Sequence, residues 1–343
     1  MIEFLSNAWP YAVAVLLFLV MIVIHEFGHF IAAKLMGVRV NEFSVGFGPA
    51  IFKKQGKETL YALRVVPFGG YCAMEGEDDG SDDPRAFCNK SAWRRFIIIV
   101  AGAVFNIILG FILVMCILAP AKRFITTTVD GFHEQSRSSE VLMEGDKIVR
   151  IGGRRVLSVY DLSYCLSNVE GDTLDMQVMR DGKKTKLTVP FDTEMIDGIN
   201  YVKIDFYLDT EPKTFTTFVS QSFTRTVSYV KVVWFSLIDL LTGKYGISQM
   251  SGPVGVTAAI GSAAKTGLSN LLAIIALITI NLGVFNLLPV PALDGGRAFF
   301  ILVEMIFRRP VPKKFEAVVH AAGLVILLGF IAVITVKDII GFF

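Results

Sequence analysis

Two histidines and a glutamate interrupt the apolar run VLLFLVMIVIHEFGHFIAAKLMG at residues 15–37. His25 and His29 are four residues apart, so on a helix they share one face, where two imidazoles can hold one metal ion. Glu26 follows His25 and is placed to act as general base toward a metal-activated water. A lone HExxH on a soluble helix is often accidental, but inside an apolar span each polar group needs a partner or a wet cavity. The pattern therefore predicts a catalytic zinc site in this segment.

A catalytic zinc ion takes three protein ligands and keeps one open position. The stretch NLGVFNLLPVPALDGGRAFF at 281–300 offers Asp294 as the third ligand. Pro289 and Pro291 break the apolar segment before it, and the following Gly-Gly pair permits close approach of the backbone. Spacing alone leaves two interpretations open, a ligand in a buried cavity and a solvated loop carboxylate at the end of a helix.

The composition indicates a membrane protein. Of 343 residues, 53% are hydrophobic and only 19% are charged, and the mean hydropathy is +0.57. Such values are too apolar for an ordinary soluble enzyme. A net charge of +2 gives no basic signal for nucleic acid. The first ten residues contain no Lys or Arg, so we do not expect a signal peptide.

Lys and Arg orient the predicted spans. Residues 1–33 contain none, whereas 34–95 contain ten, and cytoplasmic loops are the ones enriched in these residues. We therefore expect 34–95 and 289–316 in the cytoplasm, and both termini and 120–267 outside. Four stretches have the roughly 20 apolar residues that a spanning helix needs: Ala8–Ala33, Phe96–Ala119, Leu268–Leu288 and Ala317–Val336.

The remaining segments divide the chain further. The first two spans, with HExxH, occupy 1–120 and enclose strand-like sequence at about 42–75; the last two spans occupy 250–343. Alternating apolar and polar residues predict a β-rich domain at 123–208, with a hairpin turn at its Asp-Gly dipeptide. An amphipathic helix at 213–243 is predicted to lie on the outer membrane surface. Its apolar stripe comprises Phe215, Phe218, Phe223, Val227, Val230, Trp234, Leu237 and Leu241.

The other potential ligands have no suitable companions. The cysteines form no CxxC pair, so we interpret them as small structural residues. His133 and His320 have no partner at ligand spacing, and we interpret both as incidental. The four cysteines are Cys72, Cys88, Cys116 and Cys165.

Five blocks together resemble the site-2 protease family of intramembrane zinc metalloproteases, in particular its bacterial regulator-of-sigma-E branch. The two most specific blocks are HEFGH at 25–29 and NLGVFNLLPVPALDGG at 281–296. FSVGFGP at 43–49, PFGGYCAMEGE at 67–77 and SGPVGV at 251–256 are similar to three further blocks of the family. The resemblance covers essentially the whole chain.

This resemblance implies that Asp294 is the third ligand of a Zn²⁺ ion. It implies that the outside domain is PDZ-like, through the block LMEGDKIVRIGG at 142–153, and that only one such domain is present. The family's Ala-Gly-Pro-x-x-Asn block is AGAVFN here, with Asn106 retained and Ala103 in place of the proline.

Four further residues near the second motif are candidates for shaping the site and binding unwound substrate: Asn281, Asn286, Pro289 and Pro291. For the two asparagines, hydrogen bonding between helices is the alternative. The strand-like segment 43–66 is a candidate clamp that accepts an extended substrate by β-addition.

The sequence thus predicts a polytopic α-helical membrane protein with four transmembrane helices, a membrane-associated β-rich cytoplasmic loop and one extracytoplasmic PDZ-like domain. We expect it in a bacterial cell (inner) membrane, with the active site toward the cytoplasm. The expected reaction is hydrolysis of peptide bonds in transmembrane segments, as in regulated intramembrane proteolysis, and the resemblance implies anti-sigma factors or signal-peptide remnants as substrates. The expected partners are these proteins and the lipid bilayer, without nucleic acid.

Two other functional classes compete with the protease. A metal transporter would also carry intramembrane His and Glu, but it would more often show polar residues in several spans or repeat symmetry. A catalytically silent scaffold with a PDZ module would have no need of His25, Glu26, His29 and Asp294.

Overall fold

A computed structural model describes residues 2–77, 80–167, 169–196, 199–244, 246 and 250–341, with side chains except at 2–11, 67, 68 and 199. The α-helices of this part are α1 Ile2–Leu35, α2 Ala92–Leu118, α3 Val159–Cys165, α4 Phe215–Leu241, α5 Pro253–Thr266, α6 Leu268–Asn286, α7 Asp294–Phe307 and α8 Lys313–Gly341. The strands are β1 Val40–Gln55, β2 Leu60–Met74, β3 Arg123–Phe132, β4 Lys147–Ile151, β5 Arg154–Arg155, β6 Thr173–Arg180, β7 Lys183–Pro190, β8 Thr193–Ile196, β9 Ile199–Val202 and β10 Phe206–Pro212. They form two compact units, one made of 1–113 with 239–343 and one made of 114–238.

Four helices among the described residues are long and apolar enough to cross a membrane. They begin and end within a few residues of the predicted spans, except that the last extends further at both ends. The amphipathic helix α4 is not one of the four, which agrees with the interpretation of its apolar residues as a stripe. The four are Ala12–Leu35, Ala92–Leu118, Leu268–Asn286 and Lys313–Gly341.

Glycines let the long apolar helices of the first unit approach closely. A Cβ on Gly28 of α1 would lie 2.6 Å from the carbonyl oxygen of Ala101 in α2. A Cβ on Gly283 of α6 would lie 2.8 Å from the carbonyl oxygen of Ala103, which is also in α2. Without a hydrophobic driving force in lipid, such close backbone contact is a main source of helix association. Since α2 continues through the buried Ala103, the missing proline leaves the helix unbroken.

The predicted strand-like segment at 42–75 forms one long hairpin of β1 and β2, folded back on itself. Val40 pairs with Met74 at its base and Gln55 with Leu60 at its tip. Residues 42–45 also pair with residues 60–63, from Glu42 with Leu60 to Val45 with Leu63, so the tip of the hairpin lies beside its base. The fold-back occurs near Gly46, which has φ +86°, and a Cβ there would meet the carbonyl oxygen of Val66 at 2.6 Å. Only glycine fits such a position without strain.

Ion pairs hold the folded tip of the hairpin in place. Glu58, in the tip, accepts hydrogen bonds from Lys34 at 2.7 Å and Arg85 at 2.8 Å. The Lys34 and Arg85 cations together hold the pKa of Glu58 at about 2, well below its ordinary value. Lys34 and Arg85 therefore fix the hairpin beside the end of α1.

Two helices, α5 and α7, were not predicted from the sequence. The SGPVGV block begins α5, with Pro253 at its first turn. Asp338 of α8 accepts the backbone N–H groups of Gly252 and Gly255, each at 2.8 Å, and so satisfies donors that a helix start leaves unpaired. The helix α7 begins at Asp294, so this aspartate lies in a helical first turn and the interpretation as a loop carboxylate is wrong.

The second unit contains an antiparallel sheet with strand order β10-β3-β4-β6-β7, and β5 pairs with β4. Its core contains apolar side chains from the sheet and α3, among them Ile148, Leu162 and Phe191. The turn between β6 and β7 has positive φ at Asp181 (49°) and Gly182 (76°), as the Asp-Gly signal predicted. The strand β4 follows the Gly-Asp turn of the block at 142–153.

The helix α4 packs its polar side against α3. The carboxylate of Asp161, in the first turn of α3, accepts hydrogen bonds from Ser228 at 2.8 Å and Lys231 at 3.0 Å. Of the predicted apolar stripe, Phe215, Phe223, Trp234 and Leu241 are exposed, and the others are partly buried. The helix therefore has a buried polar face and an exposed apolar face, the reverse of a helix on an ordinary soluble domain.

Candidate metal centre

The structure brings together three predicted ligands from two helices that are far apart in sequence. His25 Nε2 lies 2.9 Å from Asp294 Oδ2, and His29 Nε2 lies 3.3 Å from the same oxygen. The two Nε2 atoms are 3.2 Å apart. Within the described chain, these residues are the one group of three or more His, Cys, Asp or Glu side chains close enough to share a metal ion.

The geometry of this triad fits zinc. Ligand atoms about 2.0–2.1 Å from a tetrahedral zinc ion lie roughly 3.3 Å from one another, and the three separations scatter narrowly around that value. Asp294 Oδ2 is buried and makes no aligned hydrogen bond within the described part, although it is close to both rings. Burial alone would raise the pKa of Asp294, but the two histidines hold it below its ordinary value. A carboxylate oxygen and two ring nitrogens that lie this close together form a donor set that fits a cation.

Neighbouring groups on α2 orient both imidazoles. His29 Nδ1 lies 2.9 Å from the carbonyl oxygen of Ile98 and donates to it, which leaves Nε2 as the metal-binding atom. His25 Nδ1 lies 3.3 Å from Asn106, which is fully buried. The amide oxygen of Asn106 has no partner in the described residues. Turning the amide over would let this oxygen accept a hydrogen from Nδ1, and both histidines would then present Nε2 to the metal.

Gly102 permits α2 to pass directly behind the two histidines. A Cβ at this position would lie 2.3 Å from His29 Nε2 and 2.8 Å from His25 Cε1. Side-chain carbons essentially never approach so closely, so any larger residue would push the rings aside. The glycine of the AGAVFN block is thus needed by the histidines, a role that the sequence analysis missed.

The third predicted ligand is held by the start of α7. Asp294 is the first residue of this helix, where the helix dipole favours a negative charge. One turn later, Arg297 binds Glu77 with an N–O distance of 2.5 Å, and this pair joins α7 to the segment that follows β2. The PFGGYCAMEGE block therefore supports the metal centre from its own C-terminal end.

Glu26 lies between the metal centre and the hairpin. A Cβ on Gly70 of β2 would be 3.4 Å from Glu26 Cγ, which places this part of the strand beside the glutamate side chain. Because the tip of the hairpin pairs with the other side of residues 42–45, the segment 70–74 forms an outer edge of the folded sheet. The predicted general base therefore faces an extended backbone segment.

The four residues predicted to shape the site take different positions. Asn281 lies on an exposed face of α6, and Asn286 is buried at the last position of that helix. Pro289 and Pro291 lie in the turn that joins α6 to α7. Among the described residues, no hydrogen bond joins either asparagine to the triad, so their role in the site stays a prediction.

His320 is not incidental, and that interpretation is wrong. Its Nδ1 accepts a hydrogen bond at 3.0 Å from the backbone N–H of Ala292, two residues before Asp294. The sequence could not reveal this hydrogen bond, since the partner is a backbone group.

For Cys72, burial raises the pKa of the thiol, which agrees with a structural role; all four cysteines are free thiols.

Comparisons with known proteins agree with this chemistry. The model of Peptidase family M50 matches residues 13–330. A protein of Clostridium acetobutylicum is 36% identical over 329 residues, covering 96% of each chain, and one of Clostridium perfringens is 36% identical over 330 residues, covering 95% and 97%. A protein of Fusobacterium nucleatum is 33% identical over 340 residues, covering 96% and 98%. All three are named "Putative zinc metalloprotease".

Proposed function

The chain belongs to Peptidase family M50, the site-2 proteases, and on that premise we propose that this membrane zinc metalloprotease cleaves peptide bonds within transmembrane segments. One observation carries the proposal: two histidines of an apolar helix converge with a distant aspartate at zinc-like separations. His25, His29 and Asp294 are proposed as the zinc ligands and Glu26 as the catalytic base. Placement in the regulator-of-sigma-E branch rests on the five sequence blocks.

The residues of the site divide the work of hydrolysis. A zinc ion held by His25, His29 and Asp294 would supply Lewis acidity to the attacking water and to the scissile carbonyl. Glu26 accepts a proton from the attacking water as the water oxygen bonds to the carbonyl carbon. Glu26 then gives that proton to the amide nitrogen as the C–N bond breaks, so that one carboxylic acid and one amine are released. Asn106 and the Ile98 carbonyl hold the imidazoles in one orientation throughout.

The substrate must be unwound before it can be cut, because helical carbonyls are hydrogen-bonded and shielded. We propose that the folded hairpin accepts the extended segment by β-addition, as predicted for residues 43–66. Within the hairpin we place the accepting edge at 70–74, outside the predicted 43–66, because Gly70 lies beside Glu26. Asn281, Asn286, Pro289 and Pro291 would bind or shape unwound backbone on the opposite side.

The second unit and α4 are proposed to control access. We assign 123–208 as a PDZ-like extracytoplasmic domain that excludes substrates with large external domains. The exposed apolar face of α4, which includes Phe223 and Trp234, would lie on the outer surface of a bacterial inner membrane. In this orientation both termini are extracytoplasmic and the site opens toward the cytoplasm. Anti-sigma factors and signal-peptide remnants are the proposed substrates.

The substitution Glu26→Gln tests the function and separates it from its rivals. The variant is expected to bind zinc with a stoichiometry near that of wild type and to lose cleavage of a model transmembrane substrate in liposomes. A transporter would keep moving zinc across the liposome membrane in this variant, and a scaffold would show no cleavage in either protein. Equal cleavage by wild type and variant would reject Glu26 as the base.

A further inference from the structure

The turn that delivers Asp294 contains a strained residue. Ala292 has φ +75°, in the left-handed region that side chains other than glycine rarely adopt. Its neighbours turn tightly, with hydrogen bonds from Val290 N–H to the Leu288 carbonyl at 2.7 Å and from Leu293 N–H to the Val290 carbonyl at 3.2 Å. Such a conformation persists only when surrounding contacts hold it.

One contact that holds this turn comes from α8. His320 Nδ1 accepts the Ala292 N–H at 3.0 Å, across 28 positions of sequence. One turn further along α8, Gly323 lies against Pro291, where a Cβ would meet the Pro291 carbonyl carbon at 2.9 Å. A Cβ on Gly296 would lie 3.1 Å from His320 Cε1, so the imidazole also borders the first turn of α7. The ring therefore lies between the strained residue and the helix that begins with Asp294.

The hydrogen bond fixes the tautomer of His320. A backbone N–H can only donate, so Nδ1 must lack a proton and Nε2 must carry it. Nε2 is buried and has no hydrogen-bond partner among the described residues. An unpaired buried donor is unfavourable, so an apolar side chain would fill this space at lower cost. The benefit of the imidazole must therefore come from Nδ1, which is the atom that restrains Ala292.

We propose that His320 is a positioning residue of this protease, holding the left-handed Ala292 turn so that Asp294 points at His25 and His29. The inference rests on the proposed role of Asp294 as a zinc ligand. His320 contributes by placing a hydrogen-bond acceptor, Nδ1, opposite the Ala292 N–H. Loss of that acceptor would loosen the third ligand and weaken zinc binding without removing any ligand.

Three substitutions separate the acceptor from the bulk of the ring. His320→Asn keeps an acceptor close to the position of Nδ1, His320→Gln moves it outward toward the position of Nε2, and His320→Leu removes it at similar volume. Zinc affinity is measured on the full-length protein in detergent by competition with a chelator. The kcat and KM for a model transmembrane substrate are measured with saturating zinc, and the ligand field is read from the absorption spectrum of the Co²⁺ form.

We expect His320→Leu and His320→Gln to lower zinc affinity about tenfold or more, the range known for outer-shell partners of metal ligands. Both variants should lower kcat with little change in KM and should alter the Co²⁺ spectrum. His320→Asn should stay within about threefold of wild type. Wild-type zinc affinity and kcat in His320→Leu would overturn the proposal, as would an equal loss in all three variants.

Two further variants keep the outcomes distinct. Leu324→Ala, on an exposed part of α8, is the control for changes to this helix and should match wild type. Asp294→Ala tests the underlying assignment and should abolish tight zinc binding. If Asp294→Ala loses zinc and His320→Leu does not, only the role of His320 is rejected; if Asp294→Ala binds zinc normally, the proposed ligand set itself is wrong.

Discussion

The substitution Gly102→Ala adds one methyl group behind the histidines and should disable the metal centre. The added Cβ would lie 2.3 Å from His29 Nε2, whereas ordinary contacts begin at 3.4 Å. The ring or the helix must therefore move by about 1.1 Å, the difference between these two distances. Movement of the ring would carry His29 Nε2 away from Asp294 and disturb the hydrogen bond that His29 Nδ1 donates to the Ile98 carbonyl.

A displacement of about 1 Å in a catalytic group can lower the rate on the order of 100-fold. We therefore expect Gly102→Ala to reduce kcat by roughly that factor and zinc affinity by about tenfold or more. Cleavage of a model transmembrane substrate in liposomes and zinc competition with a chelator measure the two effects. Membrane insertion and yield are measured in parallel, so that a loss of folded protein is distinguished from a loss of zinc affinity and kcat.

Two other glycines serve as matched controls. A Cβ on Gly329 of α8 would meet nothing within 4 Å, so Gly329→Ala should behave as wild type. A Cβ on Gly110, also in α2, would press on the flexible Ile280 side chain, so Gly110→Ala should affect stability more than zinc affinity. If Gly102→Ala retains zinc affinity and kcat within twofold of wild type, the close approach of α2 to the histidines is refuted.

Three further predictions follow from the geometry. Replacing Asn106 with Leu should lower zinc affinity about tenfold by freeing the His25 ring, measured by chelator competition, and wild-type affinity would contradict this. Burial alone would raise the pKa of Asp146, but Arg180 and a backbone N–H hold it below its ordinary value. The ionised carboxylate therefore stabilises the folded domain above the pKa that Asp146 has in the unfolded chain. This stabilisation is lost as the pH falls through the pKa that Asp146 has in the folded domain. Asp146→Ala should therefore weaken hydrogen-exchange protection of the 123–208 region by about 2 kcal/mol at pH 7 and much less at low pH, and an equal effect at both would count against the pair. Removing residues 125–208 should let the protease cut a substrate with a large external domain that wild type leaves intact; continued resistance would reject the proposal that this domain excludes such substrates.

The features predicted correctly from the sequence depend on short, local sequence patterns. HExxH within an apolar run indicates helix and chemistry together, because polar groups inside a membrane span are costly and usually functional. Asp181 and Gly182 specify a turn that depends only on their own φ angles. The four apolar spans are recognised by length and composition.

The features missed depend on contacts between distant segments. The fold-back of the hairpin needs Glu58 to meet Lys34 and Arg85, and no periodicity encodes that meeting. The helix α7 begins directly after two prolines and at a Gly-Gly pair, which suggest irregular backbone, yet Asp294 starts a regular helix. His320 acts on a backbone N–H and so had no side-chain companion to reveal it. Asn106 could have been found, since a buried asparagine in an apolar span needs a partner.

Zinc K-edge X-ray absorption of the purified full-length protein tests whether His25, His29 and Asp294 share one metal ion. We expect one zinc ion per chain, with two imidazole nitrogens and at least one carboxylate oxygen at about 2.0–2.2 Å and no sulfur ligand. Asp294→Ala should remove the carboxylate contribution or the metal itself. A sulfur-containing shell, or a spectrum unchanged by Asp294→Ala, would contradict a metal centre shared by the first apolar helix and the start of α7.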